Sequence, residues 1–481
     1  MLQNWPNKII RSYILIALIA SFPCVFFIFA FPEYGGDSRV YALVANNILN
    51  GCGVAISELG SDICVPHFGG NQGPGYPAFI ALIWSLSGHS DLAVRLVQAM
   101  LYIMSIVYVV NSIHHYTSSL KKALIVGLVL AISPLHVAWP RFIFTETLAL
   151  AGTLWVFAEL IISLHNRKLR ILPIGIALIC VTFIRLDAIL LVLPVAITAF
   201  IIHKPLDAVK RGLVVGMILA VPWCGWLVRN AHVGLENVLT PVAVSLNEKA
   251  PGMFSWVRVW STNQYSSIGV HFPVYNGSYD KISVDEKAYS TPNERELVTA
   301  LLKELQTYKN KPFPHHIDSQ FSLLAKSRIK TDPFEYFIAV PIKRIFNFWV
   351  NPNAGYGWPG FGGILTAQDR LDIMEAGIIA KVVLIKDYPV IVTGRIITQI
   401  WKFLLYLGLI LTLWLSFKNK IYTDRKLIYL ALSFVLARSY LAGYLSLTEA
   451  RFSVMQMPII EIIVTLVLID AFSKWKKSRV Y

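Results

Sequence analysis

Long apolar runs separated by short polar loops dominate the pattern of this chain. Most runs approach the roughly 20 residues that an α-helix needs to cross a bilayer, although those near residues 130, 178 and 195 are short. Hydrophobic residues make up 56% of the sequence, which excludes a soluble globular protein. We therefore predict an all-α polytopic membrane protein with about 10–12 transmembrane helices. The ten clearest runs are residues 9–31, 92–113, 123–137, 142–164, 171–184, 189–202, 213–228, 396–417, 427–447 and 453–472.

Basic residues are concentrated in every second loop between these runs. They occur around residues 8–11, 121–122, 167–170, 204–211, 418–426 and 474–479. Cytoplasmic loops carry such an excess of Lys and Arg, so both termini are predicted to be cytoplasmic. The net charge of +15 arises from these loops and does not indicate nucleic-acid binding. The first run lacks a small-residue cleavage site and is interpreted as a retained span.

The spans divide the chain into three parts. Residues 1–229 form an N-terminal transmembrane module, residues 230–394 an outer segment, and residues 395–481 the C-terminal spans. In the outer segment, leucines at helical spacing after a proline predict helices between residues 291 and 329. Residues 332–350 combine aromatic side chains with two cations, which suits an interfacial helix or an extra span interrupted by Pro341.

The first outer loop, residues 32–77, carries the acid of greatest interest. Asp37 follows the first span and precedes a short pattern in which Tyr41, Val44 and Ile48 recur at helical spacing. A helix too short to span, placed directly after a span, is expected to rest at the membrane surface. Asp37 would then lie at the boundary between lipid and water, where a lipid-linked substrate could react.

Other ionisable residues gather at the predicted outer ends of the spans, where charges are functional candidates by default. Glu146 is either a second acid facing Asp37 or a hydrogen-bonded link between helices. Arg141, Arg229 and Arg451 could bind a phosphate as charge-assisted forks, or Arg141 could extend to the interface. Arg185 and Asp187 are expected to pair with each other. The predicted substrate pocket comprises Tyr41, His67, Asn71, Tyr76, Asp187 and Glu449.

Cofactor chemistry has little support in the sequence. No Walker loop, GxGxxG, HExxH or GxSxG arrangement occurs, so nucleotide-driven transport and serine hydrolysis are not indicated. No closely spaced metal ligands are present, and dependence on a divalent metal stays open. Cys52 and Cys64 share the first outer loop and either form a disulfide or are two free thiols.

Five segments in order resemble one family. They are GGDSRVYALVANNILNGCG, GPGYPAFIALIWSLSGHSDLAVRLVQA, FTETLAL, PWCGWLVRN and EARFSVMQMP. Together they look like the GT-C integral-membrane glycosyltransferases, nearest the protein mannosyltransferase or family 39 group that includes the lipid A aminoarabinose transferases. The resemblance extends from about Pro32 to Pro458 and is weakest within the outer segment.

The resemblance implies a transferase that uses a polyprenyl-phosphate sugar on the outer face of the membrane. The family's first-loop acid maps onto Asp37, and its second-loop acid looks like Glu146. Two departures are visible. Many members carry an acidic pair where Asp37 stands alone between Gly36 and Ser38, and Gln72 with Gly73 replaces a basic residue before the PGYP-like turn. A phosphate contact expected there must come from another arginine.

The residues themselves suit this chemistry. A lipid phosphate leaves readily if cations stabilise its developing charge, and an acceptor hydroxyl needs a general base within hydrogen-bond reach. We therefore predict an inverting single displacement at the outer face of the bacterial cytoplasmic membrane, with Asp37 as base. The acceptor is lipid A, another glycan or a protein, membrane lipids surround the chain, and a monomer is expected.

Two other functions remain as alternatives. A secondary transporter or lipid-linked glycan flippase would place charges near the bilayer midplane, often with internal repeats. Here the charges gather at the outer ends, and no repeat is evident. A polymerase or ligase of lipid-linked glycans would share the outer-face site but normally lacks this first-loop motif.

Overall fold

The computed structural model describes residues 7–56, 63–69, 73–235, 250–351, 355–360, 386–418, 425–445 and 449–478. Nearly all of them are helical, which confirms the predicted all-α class. The chain separates into two compact units. The first contains residues 1–234, 355–434 and 454–481, and the second contains residues 235–354 and 435–453.

The first unit is built from helices that are mostly apolar. Its helices are α1 (Asn7–Ala30), α2 (Gly36–Leu49), α3 (Gly75–Ser87), α4 (Asp91–Thr117), α5 (Leu120–Ile132), α6 (Thr145–Asn166), α7 (Ile171–Ile184), α8 (Val192–Ile202) and α9 (Pro205–His232). Two strands of two residues each, β1 (Ala55–Ile56) and β2 (Val65–Pro66), form an antiparallel hairpin in the first loop. α6 is buried along most of its length among the other helices. The start of α6 therefore lies inside the unit.

The second unit and the last part of the chain contain the remaining helices. These are α10 (Pro251–Trp260), α11 (Gln264–Tyr275), α12 (Pro292–Gln306), α13 (His315–Thr331), α14 (Val340–Val350), α15 (Pro389–Phe417), α16 (Arg425–Tyr444) and α17 (Met457–Ser478). α12 begins where the sequence predicts, because the side chain of Thr291 accepts a hydrogen bond from the backbone N–H of Glu294. Trp256 of α10 packs against Phe321 of α13 in the core of the second unit. The predicted helices between residues 291 and 329 are confirmed.

Seven of the described helices are long and apolar enough to cross a membrane. They are α1, α4, α6, α9, α15, α16 and the helix that contains α17. The three runs that the sequence marks as short form α5, α7 and α8, of 13, 14 and 11 residues. At 1.5 Å per residue each covers only about 20 Å, less than the hydrocarbon thickness of about 30 Å. α7 and α8 are joined by a 3-10 turn at Leu186–Leu191.

Candidate active site

Asp37 lies in the first turn of α2, where the helix dipole favours a negative charge. The residue before this helix, Gly35, packs directly on an aromatic ring. A Cβ atom at Gly35 would lie 2.3 Å from Cζ of Phe144, so a side chain there would have to displace the ring. Phe144 precedes Glu146 by two residues. The two predicted acids therefore belong to segments that are packed against each other.

The predicted pocket residues Tyr41 and Tyr76 pack between α2 and α3 and join these helices to the segment before α6. Both are buried, and their rings pack edge to face with centroids 5.1 Å apart. Tyr76 Oη donates to Gln98 Oε1 at 2.9 Å. Gln98 Nε2 donates in turn to the backbone oxygens of Pro140 at 3.0 Å and Phe142 at 2.6 Å. These contacts tie α2, α3 and α4 to the segment that leads into α6.

Glu146 and Asp187 share one buried guanidinium. The side chains of Arg185 and Glu146 are each 2% exposed, with Arg185 Nη1 3.3 Å from Glu146 Oε1. Arg185 also donates from Nε and Nη2 to the two carboxylate oxygens of Asp187, at 3.2 and 3.1 Å. The predicted pairing of Arg185 with Asp187 is confirmed. Because one guanidinium serves two carboxylates, the group carries a net negative charge when both are ionised.

Two glycines bring the PGYP-like turn to this group. A Cβ at Gly73 would lie 2.7 Å from the backbone oxygen of Phe183, and one at Gly75 would lie 2.8 Å from its backbone carbon. Phe183 stands two residues before Arg185 at the end of α7. Only glycine permits this close approach of two backbones. The turn before α3 is therefore held against the segment that carries Arg185 and Asp187.

Arg95, near the start of α4, is the residue that the sequence analysis missed. Its side chain is 8% exposed, and its Nε atom has no hydrogen-bond partner in the part of the chain that the structure describes. Among the described residues it makes no ion pair, and its guanidinium lies only against the ring of Tyr34, 5.8 Å from the centroid. The charges of Arg95 and Glu146 both act on Tyr76, so both side chains lie near that residue. Its position in the first turn of a predicted span was the available signal.

Arg141 lies in the 3-10 turn before α6, and each of its three guanidinium nitrogens donates a hydrogen bond. Its Nε donates to Gly357 O at 2.7 Å, Nη1 to Phe31 O at 2.8 Å, and Nη2 to Trp358 O at 3.3 Å. Its Nη1 also lies 2.7 Å from a carboxylate oxygen of Glu33. Four of the five N–H groups of this guanidinium therefore have acceptors, and the predicted phosphate contact of Arg141 stays a prediction. The contacts show that Arg141 fixes the entry to the first loop.

Arg229, at the end of α9, holds the hairpin of the first loop. It donates to the backbone oxygens of His67 at 2.8 Å and Val54 at 2.5 Å. Cys52 and Cys64 form a disulfide across the same hairpin, with Cα atoms 5.5 Å apart. Of the two alternatives for these cysteines, the disulfide is therefore confirmed. Arg229 and the disulfide together fix the segment that follows α2.

His67 lies outside the membrane-spanning helices, next to this arginine. Burial and, to a lesser extent, the charge of Arg229 lower the pKa of His67 to about 4. The imidazole is therefore neutral near pH 7. A neutral imidazole in the loop can donate or accept one hydrogen bond without adding charge to the site.

The remaining predicted site residues are Arg451, Glu449 and Asn71. Arg451 and Glu449 belong to the second unit and form an ion pair through Nε of the arginine. Asn71 lies outside the described residues. Within the described part of the chain, no three His, Cys, Asp or Glu side chains are arranged to hold a metal ion.

One family model matches part of the chain. Residues 71–226 match the model of the dolichyl-phosphate-mannose-protein mannosyltransferases. This span includes the PGYP-like turn, Arg95, Arg141, Glu146 and Asp187, and it ends before Arg229. The resemblance to GT-C membrane glycosyltransferases is thereby confirmed over this part of the chain. Asp37 and the segments after residue 226 lie outside the match.

One solved structure gives a weaker likeness. The crystal structure of ArnT from Cupriavidus metallidurans bound to undecaprenyl phosphate aligns with 95% of this chain and 77% of that chain. The sequence identity is 13% and the TM-score 0.41. No curated protein matches the sequence.

Proposed function

We propose that this chain, which matches the mannosyltransferase family over residues 71–226, is a membrane glycosyltransferase that uses a polyprenyl-phosphate-linked sugar. It would move a single sugar to a hydroxyl group of lipid A, another glycan or a protein. The site would face the outside of the bacterial cytoplasmic membrane, with both termini in the cytoplasm. The distribution of basic loops supports this orientation.

The unpaired guanidinium of Arg95 is the observation that carries the proposal. A buried charge without a counter-ion is costly. Arg95 is buried against Tyr34 of the first loop and, like Glu146, lies near Tyr76. An anionic ligand at Arg95 would remove that cost. The phosphate of a polyprenyl-phosphate sugar has the required charge, and a guanidinium matches its oxygens as a two-pronged donor.

The arginines then divide into two roles. We assign the first phosphate contact to Arg95, because its buried Nε has no hydrogen-bond partner among the described residues. Arg141 and Arg229 already donate to backbone oxygens, so we assign them to positioning the first loop. Arg451, which pairs with Glu449 in the second unit, stays a predicted phosphate contact.

The reaction is a single displacement at the anomeric carbon. Asp37 accepts the proton of the acceptor hydroxyl as its oxygen forms a bond to that carbon. The bond from the carbon to the phosphate oxygen breaks on the opposite face, and the electron pair leaves with polyprenyl phosphate. Arg95 stabilises the charge that develops on the departing oxygen. The configuration at the sugar carbon is inverted.

Glu146 is the second acid of this proposal. Its Oε1 is paired with Arg185, and Oε2 accepts from the hydroxyl of Thr145 at 3.3 Å. Together with Asp187, it supplies carboxylate acceptors for the hydroxyl groups of the sugar or acceptor. This arrangement would orient the sugar while Asp37 and Arg95 act on the reacting atoms.

The function is tested by assaying the purified protein in proteoliposomes with a panel of polyprenyl-phosphate sugars and, as controls, nucleotide sugars. We expect acceptor-dependent release of polyprenyl phosphate with one lipid-linked sugar and none of the nucleotide sugars. Membrane-impermeant acceptors added on either side would report which face carries the site. Movement of the lipid-linked sugar across the bilayer without release of carrier would contradict a transferase and favour a flippase.

A further inference from the structure

The helical segment around α14 carries an exposed apolar stripe. A π-helical turn at Glu335–Ala339 leads directly into α14. Along both, apolar side chains recur at intervals of four residues, so they lie on one side of the segment. The five residues of this stripe and their exposed fractions are Phe334 68%, Ile338 44%, Ile342 59%, Phe346 62% and Val350 45%.

The opposite side of α14 is packed within the second unit. Val340 and Phe348 are buried there. Arg344, 4% exposed, donates from Nε to Ser261 O at 2.7 Å and from Nη1 to Gly443 O at 3.2 Å. The helix is therefore fixed in its rotation, and the stripe cannot turn inward without breaking these contacts.

The same contacts place α14 against the end of a membrane-spanning helix. Trp349 Nε1 donates to Ser439 Oγ at 2.9 Å, and Tyr444 Oη donates to Phe337 O at 3.2 Å. Ser439 and Tyr444 belong to the last turns of α16, which has 20 residues. A helix of that length is about 30 Å long and only just crosses the hydrocarbon. Its last turns therefore lie at the boundary of the bilayer.

We infer that the stripe is seated in the lipid leaflet at the Tyr444 end of α16. A partly apolar helix beside the end of a span meets acyl chains on its free side. Exposed aromatic rings at this level, including the Tyr440–Tyr444 pair with centroids 4.7 Å apart, are typical of the membrane interface. Lipid acyl chains contact the stripe, and the segment is an interfacial helix. The predicted alternative, an extra span, does not fit a segment whose Arg344 is held by backbone oxygens of the second unit.

The experiment places an environment-sensitive fluorophore on the stripe, at Ile342→Cys or Phe346→Cys, in vesicles of phosphatidylethanolamine and phosphatidylglycerol. The matched control is Leu323→Cys on α13, which is 57% exposed among polar neighbours. Thermal unfolding of each labelled protein verifies that it is folded. The background carries alanine at the free cysteines Cys24, Cys180 and Cys224.

Two quenchers distinguish whether lipid, water or protein contacts the stripe. We expect lipids spin-labelled near the head group to remove most of the emission at both stripe positions, with little effect from aqueous iodide. The control should show the reverse. Quenching of the stripe by iodide alone would overturn the inference, because the face would be in water. Protection from both quenchers would also overturn it, since protein, from a second copy or from this chain, would then cover the stripe.

Discussion

Replacing Arg95 with methionine tests whether this arginine binds a ligand or stabilises the fold. Methionine has a similar length and no charge, so it keeps much of the packing and removes the guanidinium. Arg95 is buried and has no anionic partner among the described residues. The variant therefore loses no ion pair when the site is empty. It loses only the stacking on Tyr34, which is offset by burial of an apolar side chain.

The expected effect on activity is large. A hydrogen bond to a charged group is worth about 1.5–3 kcal/mol, and a guanidinium can make two with a phosphate. The loss of about 3–6 kcal/mol of transition-state stabilisation lowers kcat/KM by roughly 10²- to 10⁴-fold. The free energy of unfolding should change by no more than about 1 kcal/mol, in either direction.

Arg185→Met is the matched control. Arg185 is also buried, but it is paired with both Glu146 and Asp187. Its removal breaks both of these ion pairs and should cost about 3–5 kcal/mol of stability. Thermal unfolding and release of polyprenyl phosphate would be measured for both variants in the same nanodiscs. If Arg95→Met is destabilised as much as Arg185→Met, or keeps wild-type kcat/KM, the assignment of Arg95 is wrong.

Three further predictions concern the first loop. Reduction of the Cys52–Cys64 disulfide, or Cys52→Ser, should lower stability by about 3 kcal/mol because the cross-link restrains the unfolded chain; thermal unfolding with and without reductant measures this. His67 has its pKa lowered to about 4, so the folded state resists a proton that the unfolded state accepts below about pH 6.5. The contribution of His67 to the free energy of unfolding is complete above that pH. It is lost as the pH falls towards 4, by at most about 3 kcal/mol. If the stability of His67→Gln declines by the same amount over this pH range, the prediction is contradicted. Gly35→Ala should lower activity because the new Cβ meets Phe144, and Phe144→Leu in the same chain should restore part of it; no rescue would show that the contact is not the cause.

The sequence predicted those parts of the site that depend on local pattern. The spacing of Tyr41, Val44 and Ile48 predicted α2, and the short loop between Arg185 and Asp187 predicted their pairing. Both features join residues that are close along the chain. Contacts between residues far apart along the chain could not be predicted from the sequence in this way. Whether a cation is paired depends on residues far away in sequence, so neither the Nε of Arg95 without a partner nor the backbone contacts of Arg141 could be foreseen.

Glycines illustrate the same limit. The sequence predicts a PGYP-like turn beside Gly73 and Gly75, and a turn was all that it could support there. The contacts of these glycines with Phe183, and that of Gly35 with Phe144, show that all three are also required for close approach between segments about 100 residues apart. The sequence likewise identified which apolar runs were short. It could not show that a 3-10 turn joins α7 to α8 and carries Asp187.

The most direct test of the account is Asp37→Asn, an isosteric change that removes the proposed base. We expect the variant in nanodiscs to unfold at the wild-type temperature and to bind polyprenyl phosphate as the wild type does. Its acceptor-dependent release of polyprenyl phosphate should fall by roughly 10²- to 10⁴-fold, the usual contribution of a general base. Wild-type release by a folded Asp37→Asn protein would contradict the central claim that this carboxylate accepts the proton of the acceptor.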